Sequence, residues 1–184
     1  MDLLNALEVA TDEFGRRLAV VDQDGWTGAT PCSDWDVHYL SAHVVGGNRF
    51  AVLILCGMTA AEAIEEVMSA SQLGGDPLAA WATTSAAQLE AFAAASLERR
   101  VDHPLGEITA RGFLGFRVFD VTLHAWDLAR AIGASERLDA DLVDTVLGIV
   151  ENGPAGMGFG ITALGETSDT ASPQARLLDL TGRR

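Results

Sequence analysis

Apolar residues recur along this 184-residue chain at the three- and four-residue spacing of helices. The pattern predicts a first long helix over roughly Leu3 to Val21, closing before "DQDGWTGATPCS". A second starts after Ser33, which can cap it. Asp34 and Asp36 then place negative charge where the helix dipole favours it. This helix runs to about Cys56 and stops at Gly57. The stretch "TAAEAIEEVMSA" reads as a short helix capped by Thr59. A third long helix spans roughly Pro77 to Glu98, with Pro77 at a helix start, where its missing N–H costs nothing. "RRVDHPLGEITA" reads as a connector. The fourth long helix covers about Arg111 to Ile132 and ends at Gly133, and a fifth helix covers about Ala140 to Glu151. The tail, about 152–184, is rich in Gly, Ser, Thr and Pro and reads as loop, in which "RLLDL" can dock back on the core. No internal repeat and no strong strand is visible. The expected fold is all-α, a four-helix bundle with short additional helices and a loop-rich C-terminal tail. It forms one domain over residues 1–184.

The fourth long helix is apolar nearly all round, which predicts burial. Yet Asp120 and His124 share one of its faces, one turn apart, with Phe113, Phe116, Arg117 and Leu123 around them. A buried carboxylate needs a cation or several donors. The second helix offers His43, on a face shared with Tyr39, Leu40, Gly47, Phe50 and Ile54. Gly46 and Gly47 follow it, each weakening a helix by about 1 kcal/mol relative to Ala. Their missing side chains predict room above the imidazole for a bound cofactor or substrate. Two imidazoles and one carboxylate from two helices make a three-ligand metal set. Zinc accepts it with an open fourth position, and iron or nickel accept it as well. A metal ion would supply the charge that Asp120 needs. The spacing leaves a plainer reading open, in which the Asp/His pair is an ordinary ion pair and His43 a satisfied core histidine. His38 is read as solvent-facing, His103 as an ordinary connector residue, and Trp35 and Trp126 as packing residues. Asp127 is either a solvated charge or an acceptor for a ligand imidazole.

Composition narrows the classes. Hydrophobic residues make up 48% of the chain, which excludes a disordered acidic tail. A net charge of −14 with no Lys/Arg cluster argues against nucleic acid and against anionic membranes. No apolar signal segment opens the chain. Its longest hydrophobic stretch is broken by Ser41, His43, Asn48 and Arg49, so no membrane span is expected. Cys32 and Cys56 are too few for a disulfide framework and are read as free, small and buried. A cytoplasmic protein is expected, and its apolar composition and bundle architecture favour a homodimer.

Three segments carry a resemblance. "TPCSDWDVHYLSAHVVGG" resembles the T-P-C-x-x-W-x-V-x-x-L-x-x-H segment of the mycothiol-dependent maleylpyruvate isomerase-like family. "FDVTLHAWDLARAIG" resembles its H-x-W-D-L-A-x-A-x-G segment, and "SPQARLLDLTGRR" its R-L-L-x-L-x-G-R tail. That family is similar to the DinB/YfiT-like superfamily of metal-binding four-helix bundles. The resemblance implies His43 as first metal ligand and His124 as third. The middle ligand is Glu in the isomerase, and Asp120 stands here in its place. The isomerase also carries a further C-terminal domain that contributes to its active site, where this chain has the short tail. By resemblance the metal, zinc first, would bind a small thiol, mycothiol, as co-substrate and activate it toward a small electrophile. The outcome would be isomerisation or S-transfer. Arg117 and Tyr39 are the candidate catalytic groups. Arg117 either holds a substrate carboxylate or serves as a structural ion-pair partner. The alternative is a metal- or ligand-binding bundle without turnover. A third reading is a helical homodimer whose polar residues form a buried network and hold no metal.

Overall fold

The structure is a computed structural model that describes residues 1–153, 161–168 and 170–184. It contains α1 (Leu3–Leu18), α2 (Val37–Leu55), α3 (Ala60–Ser69), α4 (Pro77–Ala94), α5 (Ala110–Ala131), α6 (Ala140–Asn152) and α7 (Pro173–Leu180). A hairpin of β1 (Arg100–Val101) and β2 (Ile108–Thr109) joins α4 to α5. Helices α1, α5, α2 and α4 pack each on the next and close a four-helix ring. Helix α3 leans on α2, α6 on α5 and α1, and α7 on α6. The all-α expectation therefore holds, with one small addition: the connector "RRVDHPLGEITA" forms the hairpin, pairing Arg100 with Thr109 and Val101 with Ile108.

Local chemistry sets the helix ends. Asp2, Asp36, Thr59, Asp76, Thr109, Asp139 and Ser172 each place a side-chain oxygen on a backbone N–H of the following first turn. Thr59 and Glu62 complete a reciprocal capping box. The cap of α2 is a correction, since Asp36 and not Ser33 holds that position and accepts from Tyr39 N at 2.7 Å. Ser33 and Asp34 instead form the corner of a tight turn closed by Trp35 N donating to Cys32 O at 3.1 Å. Asp34 takes the left-handed conformation there, at φ 66°. Helix α1 ends at Leu18 and α4 at Ala94, each a few residues before the sequence-based limit. Gly133 closes α5 at φ 65°, a conformation that glycine adopts freely.

The core runs through the ring, with Leu7 and Phe14 of α1, Leu40 of α2, Phe92 of α4, and Phe113, Leu123 and Trp126 of α5 almost wholly buried. Burying each such side chain contributes roughly 1.5–3 kcal/mol. Helix α5 is buried on nearly every side, which explains why its apolar residues show little facial periodicity. In the tail, "RLLDL" lies in α7 and Leu177 is fully buried, so this segment does dock back. The loop reading of residues 154–160 and 169 lies outside the described residues. No helix among the described residues is long and apolar enough to cross a membrane.

Candidate metal centre

Asp120 projects from the middle of α5, and its two carboxylate oxygens do different work. Oδ1 faces both imidazoles, 3.3 Å from His43 Nε2 and 3.4 Å from His124 Nε2. Oδ2 accepts from Arg117 Nη1 at 2.7 Å. The rings of His43 and His124 stand nearly perpendicular, at 81°, with centroids 5.0 Å apart. The three donor atoms lie within 4.8 Å of one another. Zinc–ligand bonds of about 2.0–2.2 Å in a tetrahedron place neighbouring donors roughly 3.3–3.6 Å apart. The two Asp120–imidazole separations match that spacing, so the residues present fit a divalent ion. The trio sits at the bundle surface rather than deep inside it. His43 is exposed and His124 buried, with Asp120 between them.

Electrostatics reinforce the cluster. Burial pushes the Asp120 carboxyl up, but the neighbouring charges of His43, His124 and Arg117 override it and hold it well below the usual carboxylate range. Burial pushes His124 down. The Asp120 charge and the hydrogen bonds to Asp120 and Asp127 outweigh that and keep it protonated well above the ordinary imidazole range.

Behind the trio lies a second polar layer, centred on a buried carboxylate. His124 Nδ1 donates to Asp127 Oδ2 at 2.9 Å, and Asp127 is 0% exposed. Arg183, beyond the end of α7, grips the same carboxylate with Nε on Oδ1 at 2.9 Å and Nη2 on Oδ2 at 2.7 Å. Burial works against the Asp127 charge, but the hydrogen bonds from His124 and Arg183 bring its pKa down to about 2. Cys32 Sγ lies 3.4 Å from Asp127 Oδ2 and 3.9 Å from His124 Nδ1, making a second trio of metal-ligating atoms that shares His124.

The "TPCSDW" loop arches over this face. Thr30 holds both ends of the arch, its Oγ1 donating to Trp35 O at 2.9 Å and accepting from Cys32 N at 3.2 Å. The arch sets the Trp35 ring 4.8 Å from that of His43 and 5.7 Å from that of His124. Tyr39 lies against Trp35 at 4.9 Å and is itself exposed, so these two rings form the rim.

Two sequence expectations change. Gly46 and Gly47 do not open a space above His43. A Cβ on Gly47 would meet Arg117 Cζ at 2.8 Å, and one on Gly46 would meet Val67 Cγ1 at 3.2 Å. The room left by Gly47 is filled by a guanidinium, and Gly46 is covered by α3. Arg117 is only 5% exposed and turns inward. Besides Asp120 it donates to Gln88 Oε1 at 2.7 Å, Asn48 Oδ1 at 2.9 Å and Val44 O at 3.3 Å. Of its two expected roles, the geometry is that of the structural ion-pair partner. Cys56 is exposed rather than buried, and His103 is buried, stacked on Phe116 at 5.1 Å. The sequence offers Asp127 as a possible acceptor for a ligand imidazole, which the geometry bears out, and marks Trp35 for packing; Arg183 carries no signal beyond its place in the C-terminal motif segment.

Ring closure, short additional helices and a His/Asp/His cluster between α2 and α5 define an all-α four-helix bundle that carries a candidate metal site. Comparison with known proteins agrees. The sequence pattern of the mycothiol maleylpyruvate isomerase N-terminal domain matches residues 7–129, and the chain belongs to that family. An uncharacterized protein of Mycobacterium tuberculosis, found in two strains, is 41% identical over 143 residues, covering 77% of this chain and 74% of its own. Two crystal structures share the fold. That of the mycothiol-dependent maleylpyruvate isomerase superposes with a TM-score of 0.62 at 21% identity, over 93% of this chain and 78% of that one. That of a histidine-to-alanine mutant of the isomerase gives 0.63 at 17% identity, over 80% and 68%.

Proposed function

We propose that this protein is a metal-dependent enzyme of thiol chemistry. In this reading it uses mycothiol or a thiol of the same class to convert a small electrophile by isomerisation or S-transfer. The observation that carries the reading is the convergence of His43 Nε2 and His124 Nε2 on one oxygen of Asp120, at separations suited to a single zinc ion. Membership of the isomerase N-terminal domain family supports the choice of thiol. His43, Asp120 and His124 would hold the ion. A divalent metal held there would supply the positive charge that lowers a thiol's pKa and so makes it a nucleophile near neutral pH.

The chain's own residues do the rest. Asp120 contributes a negative charge to the centre through Oδ1 while Arg117 pins Oδ2, which fixes the carboxylate's orientation. Asp127 accepts from Nδ1 of His124 and so aims Nε2 at the centre. Trp35 and Tyr39 supply an apolar wall where a thiol's carbon skeleton can rest and water is partly excluded. The exposed side of His43 leaves the approach open to small molecules from solvent.

The test is metal analysis of untagged protein, followed by assay of a thiol and an electrophile panel. The expected result is close to one divalent ion per chain and thiol-dependent turnover lost on chelation and restored by zinc. Bound metal with no turnover across the panel would leave a binding module instead.

A further inference from the structure

We propose that Arg183 is a positioning residue of the metal centre, making the C-terminal segment beyond α7 a working part of the site. The inference rests on the metal reading above and extends it beyond residues 7–129, the stretch matching the N-terminal-domain pattern, to the arginine that closes the C-terminal motif segment.

The geometry is a relay of three side chains. Arg183 holds both oxygens of Asp127 in a fork, at 2.9 and 2.7 Å. Asp127 accepts from His124 Nδ1 at 2.9 Å. An ionised carboxylate only accepts, so Nδ1 must carry a hydrogen and Nε2 is the nitrogen left for the ion. Asp127 is 0% exposed, so its charge is balanced from inside the protein. Apart from His124, Arg183 supplies the cation that touches it.

The tail is shaped to deliver this arginine. Gly182 takes φ 74°, and a Cβ there would meet Thr162 O at 2.9 Å, so glycine alone permits the reversal after α7. Arg183 N then donates to Leu178 O at 2.8 Å, and Arg183 Nη1 to Thr181 O at 2.9 Å. The adjacent Arg184 points away and pairs with Glu166 at the surface. A segment needed only to cover α6 would have no reason to bury a bidentate ion pair against a ligand's back side. Loss of partners behind a ligand commonly costs 10–100-fold in metal affinity.

The experiment is zinc affinity by competition with a chromophoric chelator, measured on the full chain. Arg183→Ala should weaken zinc binding by roughly 10–100-fold, Arg183→Lys by an intermediate factor, and Arg184→Ala not at all. In an Asp127→Asn background the Arg183→Ala penalty should vanish, because both act through one relay. A purely structural tail contact would give the same penalty in both backgrounds, and that result overturns the proposal. Wild-type affinity in Arg183→Ala overturns it too. Should Arg183→Ala fail to fold, Arg183→Lys carries the test: weakened binding with unchanged helicity supports the proposal, and unchanged binding overturns it. Absence of zinc binding by the wild type would remove the metal reading itself, an outcome distinct from a variant that merely matches it.

Discussion

Gly47 and Arg117 fit one another across the α2–α5 interface. The guanidinium occupies the volume a side chain at position 47 would need, with Cζ 2.8 Å from an ideal Cβ. The glycine thus serves Arg117, and through it the orientation of Asp120.

Gly47→Ala should therefore destabilise the protein, although alanine is the better helix former by about 1 kcal/mol. Overpacking typically costs 1–3 kcal/mol, and the displaced atoms belong to a buried guanidinium with four partners. A Cβ on Gly46 would be tight against Val67 Cγ1 alone, at 3.2 Å, with Gln72 at ordinary contact distances of 3.5 and 3.6 Å, so Gly46→Ala should be close to neutral. Thermal unfolding of the two variants side by side checks this. A Gly47→Ala melting point at or above wild type would contradict it.

Much of the fold was legible because amphipathic periodicity reports helices directly. Thr59 with Glu62, Pro77 and Gly133 all did locally what their types predict. Ser33 failed as a cap because a left-handed Asp34 turns the chain first, and no local pattern marks that turn. The trio was legible from i, i+4 spacing and one histidine on a facing helix. The filling of Gly47 was not, because its occupant comes from another helix. The Arg183–Asp127 fork was hidden for the same reason: it joins the chain's end to α5. Trp35 gave no sign of its position because aromatic residues pack cores far more often than they roof sites.

His43→Ala and His124→Ala should each abolish metal retention through dialysis, since two remaining donors hold zinc poorly. Asp120→Asn should weaken retention, because it removes a negative charge while keeping the shape. Elemental analysis after dialysis reads all three. Stoichiometric metal in the double histidine variant would place the site elsewhere.

The metal-free protein should lose stability as pH rises. In the fold, the Asp120 charge and hydrogen bonds to Asp120 and Asp127 overcome burial and raise the pKa of His124 well above its ordinary value. Its unfolded pKa is about 6.5. Its contribution is then complete below that pH and disappears as pH climbs through the folded value. Melting curves of chelated protein from pH 6 upward should show a decline that is absent in His124→Gln. Zinc affinity should run the opposite way, rising with pH as the ion displaces the same proton. A pH-independent melting point for the chelated wild type would refute the assignment.

Trp35→Ala should spare the metal and weaken the thiol. The ring offers no ligand atom, yet it stands 4.8 Å from the His43 ring at the mouth of the centre. An aromatic contact of about 0.5–1.5 kcal/mol corresponds to a loss of roughly 2–10-fold in thiol affinity. Metal content should stay at the wild-type level. Loss of metal with unchanged helicity would make Trp35 part of the ion's support instead of a wall.

Calorimetric titration of zinc-loaded protein with mycothiol tests most directly whether this cluster is a thiol-activating metal centre. Saturable binding at about one thiol per chain is expected, with release of a proton and no signal from the chelated protein or from His43→Ala. Absence of binding by the zinc-loaded wild type at millimolar thiol would contradict it.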